Sequence, residues 1–129
     1  MNGPIGVVAV GADKKTLAVT DYNNHRVQIV TTEGVFIRQI GNGLSGAGPN
    51  QFNFPNAICV MCDGATLVVA DYANHRLQIL NVDGTFLKQI GNGQGAGLTQ
   101  FNSPMGVCVS WSTLLVATDG GNNRLQVLQ

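Results

Sequence analysis

The sequence predicts an all-β fold made of three antiparallel sheets that follow one another along the chain. One pattern of about fifty residues occurs three times, and each copy divides into short apolar, β-branched segments. The 17 glycines in 129 residues amount to nearly twice the usual share of about 7%, which indicates many turns. The segments end at Gly, Asn, Asp or Pro, as short strands joined by tight turns do, and no helix is required.

A short polar motif marks each copy of the repeat. Residues 21–26 read Asp-Tyr-Asn-Asn-His-Arg, residues 71–76 read Asp-Tyr-Ala-Asn-His-Arg, and residues 119–124 read Asp-Gly-Gly-Asn-Asn-Arg. An apolar stretch precedes each motif, and a proline lies further upstream. The upstream prolines are Pro4, Pro55 and Pro104.

Taken in order, the first repeat contains four predicted strands at residues 7–10, 16–20, 26–30 and 35–40. The second strand is apolar at successive positions, which indicates that both of its faces are covered, whereas the third alternates apolar and polar residues. A strand that is covered on both faces lies between two neighbouring sheets.

The second repeat contains the same four strands, and the third contains the first three of them. We therefore predict one segment over residues 1–129, with blade 1 at about residues 4–41, blade 2 at about 55–91 and blade 3 at about 104–129, where a blade is one antiparallel sheet. Four-stranded units at this period cannot bury their faces alone, and radial stacking into a β-propeller covers them.

These residues resemble the NHL repeat family over essentially the whole chain. The resemblance rests on the Asn-His-Arg core with its preceding aspartate, on Pro-Met-Gly-Val at residues 104–107, and on the Gly-x-Phe segments that begin at Gly34 and Gly84. Blade 3 departs from the pattern, with Gly120 and Gly121 in place of Tyr and Asn. The resemblance implies a propeller, usually six-bladed, that serves as a recognition domain.

The aspartate and arginine of the polar motif are predicted to meet across a hairpin. Asp21 ends the second strand and Arg26 begins the third, so charge-assisted hydrogen bonds can form between them. A ligand site of Asp, His and Arg is the alternative, but such a site is needed once, whereas a structural clip is needed in every blade. The clip residues are Asp21, His25, Arg26, Asp71, His75, Arg76, Asp119 and Arg124.

Two further patterns suggest chemistry that their context does not support. Cys59 and Cys62 form a C-x-x-C pair, but residues three apart in a strand point to opposite faces. Val8, Cys59 and Cys108 occupy one position of the repeat, which predicts a small, buried, apolar site. Residues 41–46 match the G-x-G-x-x-G phosphate pattern, but they lead to another strand and are predicted to connect two blades. The phenylalanines before blades 2 and 3 are predicted to be wedges that pack one blade on the next, not exposed platforms for stacking bases. They are Phe52, Phe54 and Phe101.

Composition restricts the partners that the chain attracts. Seven basic and seven acidic residues cancel, so phosphate backbones and anionic lipids gain no long-range attraction. Three cysteines, without an apolar run long enough for a signal peptide or a membrane span, predict a cytoplasmic protein with reduced thiols. We expect no catalytic residue, no metal site, no cofactor and no membrane contact.

The turns of the polar motif and the connectors between blades are predicted to lie on one face, because each blade is an antiparallel meander. We call it the loop face. Tyrosine, asparagine and glycine give it the composition of adaptable binding loops, and the leading hypothesis is a non-catalytic interaction module or scaffold for a protein partner. The expected binding residues are Tyr22, Asn23, Asn24, Tyr72, Asn74, Gly120 and Gly121.

Three alternatives remain open. Some NHL propellers bind RNA, although outside the motif only Lys14, Lys15, Arg38 and Lys88 are basic here. Related propellers include a metal-dependent lyase, which implies a lyase-like or hydrolase-like propeller as a second alternative. The third is a fragment or an engineered piece without its own activity, because residues 2–4 match the connector sequences before the other blades.

Eleven strands leave the outer faces of blades 1 and 3 without a neighbouring blade. Exposed apolar surface is an association site, and with only 11% charged residues little opposes its burial. We therefore expect a homodimer in which two copies close into a six-bladed ring, with an open aggregate or a larger native chain as the alternatives.

Overall fold

A computed structural model of the chain describes residues 1–111 and 114–129, and these residues form eleven strands in three sheets. Blade 1 contains β1 (Pro4–Val10), β2 (Thr16–Asp21), β3 (Arg26–Thr31) and β4 (Phe36–Ile40). Blade 2 contains β5 (Pro55–Val60), β6 (Thr66–Asp71), β7 (Arg76–Asn81) and β8 (Phe86–Ile90). Blade 3 contains β9 (Pro104–Val109), β10 (Leu115–Asp119) and β11 (Arg124–Leu128).

Each blade is an antiparallel meander in which every strand pairs with the strand before it. The predicted all-β, antiparallel fold is therefore confirmed. The first strand begins earlier than the sequence predicts, at Pro4 instead of residue 7, with a shift of register between Pro4 and Val7. Proline is tolerated at the first residue of a strand, where a missing N–H interrupts no ladder. No helix in the described residues is long and apolar enough to cross a membrane.

One turn of 3₁₀-helix joins the second and third strands of each blade, where the sequence predicts a tight turn without a helix. These turns are Tyr22–Asn24, Tyr72–Asn74 and Gly120–Asn122. The residue after each turn has left-handed backbone geometry, which reverses the chain into the third strand. The residues in this position are His25, His75 and Asn123, with φ of 50°, 53° and 52°.

Two apolar cores lie between the blades, one on each side of blade 2. Phe52 is fully buried in the core between blades 1 and 2, and Phe101 is fully buried in the core between blades 2 and 3. Strand β6 is buried on both faces, as its continuous apolar sequence predicts. Strand β7 is buried on both faces as well, although its sequence alternates, and its polar residues Arg76 and Gln78 make buried hydrogen bonds to Asp71.

The outer faces of blades 1 and 3 expose apolar side chains whose counterparts are buried inside. Leu77 in β7 is fully buried, whereas Leu125 at the same position in β11 is 66% exposed. Ile58 in β5 is 8% exposed, whereas its counterpart Val7 in β1 is 61% exposed. The positions are equivalent, so the difference in exposure reflects whether a blade packs on that face.

The position that holds Cys59 and Cys108 is protected only where a neighbouring blade covers it. Cys59 lies half-buried against the core between blades 2 and 3, but Cys108 is exposed on the outer face of blade 3. The prediction of a buried site is therefore wrong for Cys108. Burial raises the pKa of the Cys59 thiol to about 12, with a smaller contribution from nearby Cys108. All three cysteines are free thiols.

Cys59 is expected to react with a thiol reagent at least about tenfold more slowly than Cys62 or Cys108 in the folded protein. The thiolate is the reacting species, and its population falls as the pKa rises and access decreases. Brief labelling followed by peptide mass spectrometry measures the three rates. Labelling in denaturant serves as the control and should make the rates similar, whereas equal rates under native conditions would contradict the protection of Cys59.

Candidate functional site

A buried aspartate at the end of the second strand organises each blade. In blade 2, Oδ2 of Asp71 accepts hydrogen bonds from Nε of Arg76 at 2.8 Å and from the side-chain amides of Asn74 at 2.8 Å and Gln78 at 3.3 Å. Its Oδ1 accepts the backbone N–H of Asn53 at 2.7 Å. One carboxylate thus joins the β6–β7 hairpin to the segment that leads into the blade.

The same arrangement occurs around Asp21 and Asp119, which pair with Arg26 at 2.8 Å and Arg124 at 2.7 Å. Burial acts to raise the pKa of both carboxyl groups, but the surrounding N–H donors outweigh burial and hold each pKa below its usual range. The donors are Asn2, Asn24, Gln28 and Arg26 for Asp21, and Asn102, Asn122, Arg124 and Gln126 for Asp119.

Acidification below about pH 4 is expected to lower the melting temperature. A carboxyl group whose folded pKa is depressed stabilises the fold above its unfolded pKa, about 3.9, and this stabilisation is lost as the pH falls through the folded pKa. Thermal unfolding between about pH 5 and pH 2 measures the loss. The Asp119→Asn variant is the comparison, because its stability should depend less on pH, and a flat profile for the parent chain would contradict the expectation.

In blades 2 and 3, the arginine of the clip also holds the connector that leads into its blade. In blade 2, Nη1 of Arg76 donates to the carbonyl of Ala47 at 2.7 Å, while Nη2 donates to the carbonyls of Gly48 and Gln51, both at 2.9 Å. Arg124 binds the next connector in the same way. Its acceptors are the carbonyls of Ala96, Gly97 and Gln100.

The histidines contact the segment that leads into the next blade instead of their own aspartate and arginine. Nδ1 of His25 accepts the backbone N–H of Phe54 at 3.1 Å, and Nδ1 of His75 accepts that of Ser103 at 2.9 Å. The sequence alone groups each histidine with the Asp–Arg pair. Within residues 1–111 and 114–129, no three His, Cys, Asp or Glu side chains are placed to hold a metal ion.

The 3₁₀ turns lie beside the connectors on the loop face. The N–H of Asn23 donates to the carbonyl of Asn2 at 3.1 Å, and the N–H of Gly121 donates to that of Asn102 at 2.7 Å. Two of the predicted binding residues in these turns have side chains that are already hydrogen-bonded within the chain. The predicted binding residues Asn24 and Asn74 donate their side-chain amides to the clip aspartates, and Asn74 also donates to the carbonyl of Gly46.

An aromatic cluster spans the boundary between blades 1 and 2 on the loop face. The ring centroids of Tyr22 and Phe54 are 4.8 Å apart, those of Tyr22 and Tyr72 are 6.5 Å apart, and those of His25 and Phe54 are 4.5 Å apart. All four rings are half-buried. They form a continuous surface of flat side chains, part apolar and part polar.

Phe54 is the member of this cluster that the sequence did not indicate. Its position predicted a wedge between blades, like Phe52, but Phe54 is half-exposed and has φ of +57°. The corresponding residues before the other blades are Gly3 and Ser103. A residue that packs between blades would be apolar in every copy of the repeat. The change from Phe to Gly and Ser at this position was therefore the signal in the sequence that Phe54 does not pack between blades.

Blade 3 gives the loop face a different shape. Gly120 stands at the tyrosine position, where an added Cβ would lie 3.2 Å from the sulfur of Met105. An added Cβ at Gly121 would lie 2.4 Å from side-chain atoms of Asn102. The aromatic surface therefore ends at Tyr72. In blade 3 the turn of Gly120 and Gly121 packs closely against residues 102–105 instead.

Comparison with protein families identifies repeats in this chain. The family model described as NHL repeat matches residues 1–30 and 52–80. Comparison with the curated proteins found no significant match.

Solved structures with the same fold include enzymes and binding proteins. A streptogramin B lyase is 19% identical, with a TM-score of 0.74 over 99% of this chain and 38% of that chain. Catalytically inactive virginiamycin B lyase from Staphylococcus aureus, with quinupristin, is 15% identical, with a TM-score of 0.72 over 98% and 38%. An auxiliary nutrient binding protein from Bacteroides ovatus is 15% identical, with a TM-score of 0.70 over 90% and 35%. The chain thus spans little more than a third of their length and shares their fold.

Proposed function

The chain is built from NHL repeats. We propose that it is a non-catalytic interaction module whose loop face binds a protein partner. The observation that carries the proposal is the half-exposed cluster of Tyr22, Phe54 and Tyr72 on this face. Tyrosine rings supply a large contact area at low entropic cost, and aromatic residues dominate the binding energy of many protein interfaces.

Two features favour a partner that is recognised by shape and hydrogen bonding. The clip aspartates and arginines are paired with groups of the chain itself, so they add little net charge to the loop face. Among the described residues, the hydroxyl groups of Tyr22 and Tyr72 have no intramolecular hydrogen-bond partner. These hydroxyl groups can bond to a bound polypeptide while the rings pack against it.

Selection from a displayed peptide library tests the proposal. Peptides that are selected on the parent chain should bind at least about tenfold more weakly to a Tyr22→Ala/Tyr72→Ala variant, which removes both rings from the interface. A Lys14→Ala/Lys15→Ala variant is the matched control, because these residues lie in the β1–β2 turn at the opposite end of the blade. Thermal unfolding checks that both variants fold, and equal peptide binding by the tyrosine variant would overturn the proposal.

RNA is the less favoured partner for this surface. Aromatic rings can stack on bases, but the basic side chains outside the clip lie elsewhere, with Lys14 and Lys15 at the opposite turn and Arg38 and Lys88 on β4 and β8. Filter binding at low and high salt separates the two proposals. Salt-sensitive retention of RNA that is lost in the Tyr22→Ala variant would favour RNA over a protein.

A lyase-like or hydrolase-like activity is the remaining alternative, and it is favoured only by the shared fold of the lyases. Loss of a streptogramin B substrate during incubation with the purified chain, followed by mass spectrometry, tests it directly. Turnover above the rate of a heat-denatured sample would overturn the non-catalytic proposal.

We also propose that two copies of this 129-residue chain associate through the outer faces of blades 1 and 3. Support comes from Leu125 and Val127, which are mostly exposed although their counterparts Leu77 and Ile79 are buried against a neighbouring blade. A second copy can present a neighbouring blade, because the outer face of blade 1 is equivalent to the faces by which blade 2 packs on blade 1 and blade 3 packs on blade 2.

Light scattering coupled to gel filtration tests this association. The expected mass is about twice the 13.6 kDa of one chain. Leu125→Asp should give a single chain, because it places a charge in the interface, whereas Leu98→Asp, at an exposed connector position, should not. A well-folded parent chain that stays at 13.6 kDa at micromolar concentration would refute the association.

A further inference from the structure

We propose that the aromatic cluster of the loop face binds a proline-rich segment in the polyproline II conformation. This inference rests on the protein-binding function proposed above and names the class of partner. The rings of Tyr22, Phe54 and Tyr72 supply the contact surface. The hydroxyl groups of the two tyrosines supply hydrogen-bond donors to the backbone carbonyls of the segment.

Backbone hydrogen bonds fix the position of the two tyrosine-bearing turns relative to each other. The N–H of Phe54 donates to Nδ1 of His25, which follows the turn of blade 1, at 3.1 Å. The carbonyl of Asn53 accepts the N–H of Ala73, in the turn of blade 2, at 3.0 Å. Two successive connector residues therefore tie the two turns together. Rings that are already held in place lose little conformational entropy when a partner binds.

The spacing of the tyrosine rings matches an extended ligand. The ring centroids of Tyr22 and Tyr72 are 6.5 Å apart and the ring planes are tilted by 51°, so the rings are not stacked on each other. A polyproline II helix advances about 3.1 Å per residue, so alternate residues are separated by about 6.2 Å along its axis. One segment can therefore contact both rings, as proline-rich segments do in other grooves that aromatic residues line.

The hydrogen-bonding groups around the cluster favour a ligand that offers acceptors. Among the described residues, the hydroxyl groups of Tyr22 and Tyr72 have no intramolecular partner and are available as donors. The nearby backbone carbonyls already accept hydrogen bonds, because those of Tyr22 and Tyr72 accept the N–H groups of His25 and His75 at 3.2 and 3.3 Å. A proline-rich segment has unpaired carbonyls, and its prolines have no N–H group that needs an acceptor.

Other recurring modes of peptide recognition fit this cluster less well. A peptide that adds a strand needs a free sheet edge, but the tyrosines lie in 3₁₀ turns between the second and third strands of their blades. A bound α-helix has used most of its carbonyls in its own hydrogen bonds, so it leaves few acceptors for the tyrosines. An acidic or phosphorylated segment needs unpaired arginines, but Arg26 and Arg76 are paired with the clip aspartates.

An NMR titration of the full chain with acetyl-hexaproline-amide tests the proposal. Addition of the peptide should shift the ring signals of Tyr22, Phe54 and Tyr72. A control peptide of the same length, with alternating glycine and serine, should bind at least about tenfold more weakly, because it is flexible and has no rings to pack on the cluster.

Tyr72→Phe tests the role of the hydroxyl group separately from that of the ring. This variant should bind hexaproline about two- to tenfold more weakly, which is the effect of one neutral hydrogen bond. Its melting temperature should equal that of the parent chain, because the hydroxyl group has no partner within the described residues. Phe36→Ala removes an exposed ring on β4 and is the matched control, which should bind hexaproline like the parent chain.

The outcomes separate this proposal from the function on which it rests. If selected library peptides depend on the two tyrosines but hexaproline causes no shifts at millimolar concentration, the loop face binds proteins and the proline-rich class is overturned. If neither the library peptides nor hexaproline depends on the tyrosines, both proposals fail. Binding of hexaproline that Phe36→Ala weakens as much as Tyr72→Phe would reveal non-specific adsorption to exposed rings and would also overturn the inference.

Discussion

Replacing Asp71 by alanine is expected to lower the free energy of unfolding by about 3–5 kcal/mol. Asp71 is fully buried, and its removal leaves the guanidinium of Arg76, whose side chain is 5% exposed, without a counter-charge. It also removes the acceptor for Asn53, Asn74 and Gln78. Denaturant unfolding followed by circular dichroism measures the change.

Asp83→Ala is the matched control for the Asp71 variant. Asp83 lies in the β7–β8 turn and accepts a hydrogen bond from the N–H of Thr85 within that turn. Its replacement should leave the unfolding midpoint almost unchanged, because an exposed carboxylate contributes little. Equal effects of the two substitutions would contradict the structural role of the clip and would favour a ligand-binding role for Asp71.

Replacing Phe52 by alanine is expected to destabilise the protein by about 3–5 kcal/mol. The ring of Phe52 is fully buried in the core between blades 1 and 2, so its removal loses apolar burial and leaves a cavity. The effect should include weaker packing between the two blades. Denaturant unfolding measures the energy, and hydrogen exchange should show lower protection on both sides of this core.

Phe36→Ala provides the comparison for the Phe52 variant. Phe36 is 55% exposed in β4, so its replacement loses little burial and should cost much less than the replacement of Phe52. A Phe52 variant as stable as the Phe36 variant would show that the blades do not depend on this connector residue for their packing.

The strands and their order follow from local sequence because each blade repeats one pattern. Antiparallel neighbours need only short turns, and the Asn-rich motifs and glycines provide turns at regular intervals. Most strand bounds were therefore predicted to within a residue. The start of β1 differs because Pro4, which cannot donate a hydrogen bond, begins the strand across an irregularity in the ladder.

The Asp–Arg contacts of the candidate site join residues that are close in the sequence. The contacts of the histidines, and those of the terminal arginine nitrogens with connector carbonyls, join residues that are far apart in the sequence. Arg76 reaches carbonyl groups 25 to 29 residues earlier in the chain, and His25 accepts an N–H from a residue 29 positions later. Such contacts depend on how the blades pack against one another. Spacing in the sequence shows only that each motif recurs.

By itself the sequence determined the repeat, the antiparallel sheets, the resemblance to NHL repeats and the hairpin that pairs each aspartate with an arginine. The tertiary structure decided which equivalent positions are protected and which are exposed. Cys59 and Cys108 share a position in the repeat, but a neighbouring blade covers only Cys59. Phe52 and Phe54 lie two residues apart in one connector, yet one fills a core and the other joins Tyr22 on the loop face. The reason is that burial is a property of the neighbouring surface, which a repeated local pattern does not contain.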